Sequence, residues 1–413
     1  MFNRIRQKAS RSLTSTGLNR AAGRLLRSRH PKSDATDITQ AKRILVLKPD
    51  GIGDVILSTG FLRSLRRQCP KAHITVAVRE ASRELVEYQC FGDEVMIWKE
   101  SWCGVALKPK PAMDLIKSAR AKWKSKPLDW VLIPRSGWDH ANAAMYAWWS
   151  GAPNVCAHEF FCNDRGLKRH GFVTRLIPMR EMTHETEFHR RMLQYLKLDS
   201  GIRPQLEISI PAAKKITRLF PTGAGRPNWM AFGIGASHGS KRWPMENFRR
   251  LAQDLSRQRP DLTIFLIGGT DDREIARSIG AGSGGIIVDV TGQLSLSETA
   301  ALLKHCGVYV GNDSGPIHLA GAVGCTVVEV SKHPLGGNPV HECSPVRFGP
   351  VAAWSCVLQP RTLALKCRDG CNEPDAHCIT NISVDQVLNA IAQAFDFTST
   401  GRKTDNEPAE ATD

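Results

Sequence analysis

Two stretches, Lys48-Pro-Asp-Gly-Ile-Gly-Asp54 and Gly311-Asn-Asp-Ser-Gly-Pro-Ile-His318, each follow an apolar run and open a helical pattern. A strand that ends in a glycine-bearing turn and feeds a helix leaves unpaired backbone N–H groups at the carboxyl edge of a sheet. The positive end of the helix dipole lies there too, and phosphates and other anions bind at such edges. Two of them, more than half the chain apart, predict two Rossmann-like α/β domains facing one cleft.

Working outward from the first stretch, Arg43–Lys48 reads as a short strand and Val55–Arg67 as a helix with Ile56, Leu57, Phe61, Leu62 and Leu65 at helical spacing. Ile74–Val78 is the next strand, completing a βαβ unit. Apolar runs at Val95–Trp98 and Trp130–Ile133, with a helical stretch at Ala141–Trp149, extend the sheet. Residues 160–226 carry many charges, several prolines and Gly223-Ala-Gly-Arg-Pro227, which suits a connector. The alternation then restarts with strands at Trp229–Ile234, Thr263–Ile267, Ile286–Val290, Val308–Gly311 and Thr326–Val330, separated by helical patterns. Such regularity implies a parallel sheet with right-handed crossovers. The expected organisation is a basic arm over 1–40, a first domain with its connector over 41–225, a second over 226–380, a helix over 381–397 and a disordered tail over 398–413.

With 413 residues, 42% hydrophobic and 23% charged, the chain can bury two ordinary cores. No apolar stretch approaches the roughly 20 residues that cross a bilayer, and the first thirty residues lack the apolar centre of a targeting peptide. The expectation is neither secretion nor a membrane span. The formal charge of +16 is uneven, since residues 1–33 hold nine Lys or Arg and no acid. Phe2, Ile5, Leu13, Leu18, Leu25 and Leu26 interleave with these cations, so the arm reads either as an interfacial helix on anionic lipid or as a disordered basic extension. Nucleic acid is the weaker partner, because the chain carries no recognised nucleic-acid motif.

At its motifs the chain resembles the heptosyltransferases of glycosyltransferase family nine, which have the two-domain glycosyltransferase B fold. The resemblance rests on ordered signatures: Leu47 to Gly60, then Gly235-Ala-Ser-His-Gly-Ser-Lys-Arg-Trp-Pro244, then Leu266-Ile-Gly-Gly-Thr-Asp271, then Val310 to Ala320. It spans roughly residues 42–396.

The resemblance implies transfer of a heptose or similar sugar, with inversion, from an ADP-activated donor to a lipid-linked saccharide of the lipopolysaccharide type. That places the protein in the cytoplasm at the inner membrane face. Asp54 matches the family's general base; read alone, it is more often a helix-start carboxylate that merely complements the dipole. Gly51 and Gly53 are the loop glycines beside it. Lys241 matches the lysine on the donor phosphate, although a single lysine is more often a solvated loop residue. Ser237 matches a hydroxyl donor to the same phosphates. Ser314, Gly315 and His318 match the other half of the phosphate cradle, and Asp313 faces the donor sugar. The plain alternative is a turn capped by Asp313 or Ser314. Asp271 matches an acid on the donor ribose, and Leu294 falls where the base is contacted. The sequence has no Asp-x-Asp motif to hold a metal against a diphosphate, so Lys241, His318 and helix dipoles are expected to neutralise it, with no metal and no cofactor. Cys356, Cys367, Cys371 and Cys378 lack paired C-x-x-C spacing, so reduced thiols are the expectation over a zinc site. Two other readings are a sugar-nucleotide epimerase of the same fold and a non-catalytic nucleotide-sugar or lipid-binding protein.

Overall fold

A computed structural model describes residues 37–104, 108–137, 139–159, 172–179, 181–201, 203–221, 228–281, 286–361 and 375–401. Residues 1–36 of the basic arm, Cys367, Cys371 and the tail beyond Gly401 lie outside the described residues. Packing divides the rest into two units. One comprises the residues up to Asp50 with Phe61–Glu181 and Glu185–Ile202; the other comprises Gly51–Gly60, Met182–His184 and the chain from Arg203 on.

The first unit is a six-stranded parallel sheet. Its strands are β1 (Arg43–Leu47), β2 (His73–Val78), β3 (Glu94–Ile97), β4 (Trp130–Ile133), β5 (Asn154–His158) and β6 (Arg175–Ile177), in the order β3-β2-β1-β4-β5-β6. β1 is central, pairing Ile44 with Ile74 on one side and with Trp130 on the other. Buried on both faces, it is a continuous apolar run, and each of Ile44 to Leu47 contributes about 1.5–3 kcal/mol on burial. One face packs an aromatic cluster in which the Trp98 and Trp102 rings meet edge to face at 5.1 Å and Trp123 Nε1 donates to the Tyr146 hydroxyl at 3.3 Å.

The second unit repeats the plan. β7 (Trp229–Gly233), β8 (Thr263–Ile267), β9 (Ile287–Asp289), β10 (Val308–Asn312), β11 (Thr326–Val330) and β12 (Ser355–Leu358) lie parallel in the order β12-β11-β10-β7-β8-β9. The C-terminal helix Val384–Gly401 covers one face through Val387, Ala390, Ile391 and Ala394, which pack with Val328 and Val330. Each sheet has the order typical of a Rossmann fold, so each has one switch point: between β1 and β4, and between β7 and β10.

The structure corrects four expectations. The helix read as Val55–Arg67 begins at Ile52 and is broken into Ile52–Leu57 and Thr59–Gln68. There Ser58 Oγ donates to Val55 O at 2.7 Å and Thr59 Oγ1 to Ile56 O at 2.8 Å, hydroxyl bonds that compete with the helical ladder. Gly53 is therefore helical rather than a loop glycine. The stretch read as a connector holds β6 and the helices Glu185–Tyr195 and Ile210–Leu219, whose charged faces mask their apolar stripes. Thr398 to Gly401, expected in the tail, continue the last helix, since no breaker precedes Gly401.

Candidate active site

The second unit's switch point gathers loops from three adjacent strands. Lys241 ends a short 3-10 turn, Gly239–Lys241, after β7, and its Nζ lies 2.8 Å from Asp313 Oδ2 beyond β10. Burial alone would lower the Lys241 pKa, but the Asp313 carboxylate outweighs it and holds the ammonium above its ordinary range. Asn312 ties the two loops together: its amide donates to Ile234 O at 3.0 Å and its Oδ1 accepts from Trp243 N at 2.9 Å.

Ser314 precedes the helix Gly315–Val323, yet its side chain does not cap it; Ser314 Oγ donates instead to Asn312 O at 3.3 Å. The helix start keeps its dipole and first N–H groups directed at the switch point. His318, in the first turns, is buried, and burial pushes its pKa down to about 4. Burial therefore favours the neutral imidazole near pH 7, against the positive charge expected of it at the diphosphate.

The helix Ile52–Leu57 packs closely here. A Cβ on Gly53 would come 2.5 Å from His318 Cδ2, and one on Gly315 would come 3.3 Å from Ile52 Cβ. Glycine at both positions lets the two helix starts meet, bringing Asp54, in the first turn of its helix, to the same unit as His318. Gly51 takes an ordinary extended conformation before that helix.

Further out, Asp271 is exposed in the turn Thr270–Asp272, and Ser237 is exposed on the loop after β7. Gly292 takes φ +62° against Thr270, and its N–H donates to Gly268 O at 3.0 Å, so the loop carrying Leu294 abuts the turn carrying Asp271. The sequence reading missed Asp272. It is buried, accepts from Gly269 N at 2.8 Å and pairs with Arg242 at 2.8 Å, bracing both loops. Only its place beside a Gly-Gly pair at a strand end could have signalled it. Cys356 and Cys378 are free thiols.

The first unit's switch point holds a different cluster, also missed. Lys48 Nζ lies 3.0 Å from Asp50 Oδ2 and 3.3 Å from Pro134 O, and Arg135 pairs with the other Asp50 oxygen. Arg135 also lies 3.0 Å from His140 Nδ1. Burial would raise the Asp50 pKa, yet Arg135 and Lys48 hold it well below the usual carboxylate range. A lysine and an aspartate flanking a proline at the end of a buried strand were the available signal.

Against known proteins, residues 186–330 match the model of glycosyltransferase family 9 (heptosyltransferase). The lipooligosaccharide heptosyltransferase 2 of Haemophilus influenzae is 32% identical over 298 residues, covering 68% of this chain and 80% of the relative. Among solved structures, the family 9 glycosyl transferase of Veillonella parvula superposes with a TM-score of 0.67 at 23% identity, over 88% of this chain and 99% of that one. The Escherichia coli ADP-heptose lps heptosyltransferase II gives 0.61 at 20% identity, over 86% and 99%. These neighbours share the glycosyltransferase B architecture of two Rossmann-like domains. The relatedness in sequence over two thirds of the chain, with the repeated Rossmann sheets, shows that this chain belongs to glycosyltransferase family 9 and is a glycosyltransferase.

Proposed function

We propose that the enzyme transfers a heptose, with inversion and without a metal ion, from ADP-heptose to a lipid-linked saccharide of the lipopolysaccharide type at the inner face of the membrane. Heptose and the acceptor class are supported by the relatives' names, lipopolysaccharide or lipooligosaccharide heptosyltransferase 2, and the ADP donor by the name of the Escherichia coli ADP-heptose lps heptosyltransferase II. The observation that carries the donor half is Lys241 beside Asp313 at a helix start that no side chain caps.

In this reading Lys241 and the N–H groups of Ser314 and Gly315 hold the diphosphate, with Ser237 at its rim, while Asp271 and Leu294 address the ribose and base. Asp313 orients Lys241 and faces the sugar. Asp54 accepts the proton from the acceptor hydroxyl as its oxygen attacks the anomeric carbon. The bond from that carbon to the diphosphate breaks, and ADP departs with the electron pair. Negative charge grows on the leaving group, where preorganised donors stabilise the transition state more than the ground state. With the sequence's lack of an Asp-x-Asp motif, that charge falls to Lys241 and the helix start. Residues 1–33 supply an electrostatic attachment to anionic lipid.

The test is product formation from labelled ADP-heptose and extracted lipid-linked saccharide in EDTA, with the new anomeric configuration read by NMR. Inverted product in EDTA is expected. Turnover lost in EDTA and restored by Mg²⁺ would overturn the metal-free assignment, and no product from any sugar nucleotide would overturn the transferase reading.

A further inference from the structure

Lys332 and Glu329 belong to none of the roles assigned above, yet both stand at the same switch point. β11 lies beside β10, with Glu329 in register with Gly311, and the chain leaves β11 through Ser331, Lys332 and His333. Lys332 is only 8% exposed, and its Nζ lies 3.2 Å from the hydroxyl of Ser240, the residue next to Lys241. Lysine is rarely this buried. The proximity of the two lysines is evident at Cys343 and His341. Burial raises the Cys343 thiol to about 11, and the charges of Lys241, Asp313 and Lys332 all act on it; both lysines likewise act on His341.

Glu329 sets the charge of this edge. It is buried in a central strand, on the β11 face that meets Gly311 of β10. The groups bearing on it are Asp313 beyond β10, Lys241 beyond β7 and Ser331 just past the end of its own strand; when ionised it acts in turn on Tyr309 of β10. β12 places Val357 opposite it, and the helix Gly315–Val323 beside β11 contributes His318, which is neutral near pH 7. Burial, with Asp313 adding to it, pushes Glu329 up to about 8, so at neutral pH it is an uncharged acid. His333 and His341 are lowered by burial and stay neutral as well, and Glu342 is exposed to water.

We infer that Lys332 is a second cation for the donor's diphosphate, acting with Lys241 at a shared electropositive edge. The inference rests on the donor reading above and names a binding residue that reading does not contain. Two lysines from adjacent strand ends would divide the phosphates between them, each as a point charge.

The experiment titrates ADP, GDP, UDP and CDP into the wild-type chain by calorimetry, then repeats the tightest pair with Lys332→Gln and across pH 6.5–9.5 with Glu329→Gln. Lys332→Gln is expected to weaken binding about 10- to 100-fold, the value of a hydrogen bond to a charged group. The wild type is expected to lose affinity as pH rises through about 8, because Glu329 then ionises beside the phosphates. The loss reaches about tenfold if bound nucleotide raises Glu329 by one further unit. Glu329→Gln should remove that pH dependence; the ligand, with a second phosphate pKa of about 6, is already fully ionised there. A wild type that binds no nucleoside diphosphate overturns the donor reading itself. A wild type that binds one, with Lys332→Gln unchanged, overturns Lys332 alone. Should Lys332→Gln melt before it can be titrated, the pH profiles decide: a wild-type profile that matches Glu329→Gln overturns the electropositive edge.

Discussion

At the carboxyl end of β1 the chain sets Asp50 between Lys48 and Arg135, whereas at the end of β10 it sets Asp313 against Lys241 with Lys332 close behind. The scaffolds are equivalent: a parallel sheet in Rossmann order and a switch point beside its central strand. The difference lies in how the charges are arranged. In the first unit the carboxylate and its two cations interlock within the protein, and the Pro134 carbonyl binds both Lys48 and His189. In the second the cations gather at a helix start whose Ser314 side chain turns away from capping. The same topology thus makes a structural ion cluster in one unit and a candidate anion site in the other.

The two carboxylates of the first glycine turn separate these outcomes most sharply. Asp54→Asn is expected to lower turnover by about 10²–10⁴, the usual contribution of a general base, while nucleotide affinity stays within a few fold. Steady-state rates beside calorimetric affinities check this; a variant turning over like wild type would make Asp54 a helix-start charge only.

Asp50→Ala should act on stability instead. It leaves Lys48 and Arg135 without their shared buried carboxylate, and breaking such a pair costs about 3–5 kcal/mol. Urea unfolding is the measurement. The lowered pKa of Asp50 means its contribution is complete above about 3.8 and is lost only as pH falls through the lower folded value. The destabilisation should therefore be the same at pH 6 and pH 9, and a cost that varied between them would mean that the cluster titrates.

Lys241→Ala is expected to weaken nucleoside diphosphate binding by about 1.5–3 kcal/mol with a smaller effect on unfolding. If instead stability fell and affinity held, the Lys241–Asp313 pair would resemble the cluster of the first unit.

Much of this architecture was legible in the sequence because parallel buried strands are apolar runs and their glycine turns mark the sheet edges. The spacing of Gly311 to His318 located the helix start, and the family resemblance supplied the roles. What escaped notice were residues whose function depends on contacts distant in sequence. Asp272 reads as a surface acid until Arg242 and Gly269 are seen around it. Asp50 reads as a turn residue until Arg135, 85 positions later, closes on it. The burial of His318 was invisible too, and the helices Glu185–Tyr195 and Ile210–Leu219 were masked by charged faces.

The stability of Glu329→Gln contrasts with that of Asp50→Ala in sign and in pH. Burial raises Glu329 from 4.5 to about 8, so between those values the unfolded chain releases a proton that the folded chain retains. Wild-type stability therefore falls as pH climbs from about 4.5 towards 8 and levels off above it. Glutamine does not titrate, so any cost of the amide in that site is the same at every pH. The melting temperature of Glu329→Gln relative to wild type should accordingly rise from pH 5 to pH 8 and then plateau, whereas Asp50→Ala should run parallel to wild type over the same range. A constant offset for Glu329→Gln would mean that the carboxyl is already ionised in the folded protein, and the electropositive edge proposed around Lys332 would lose its basis.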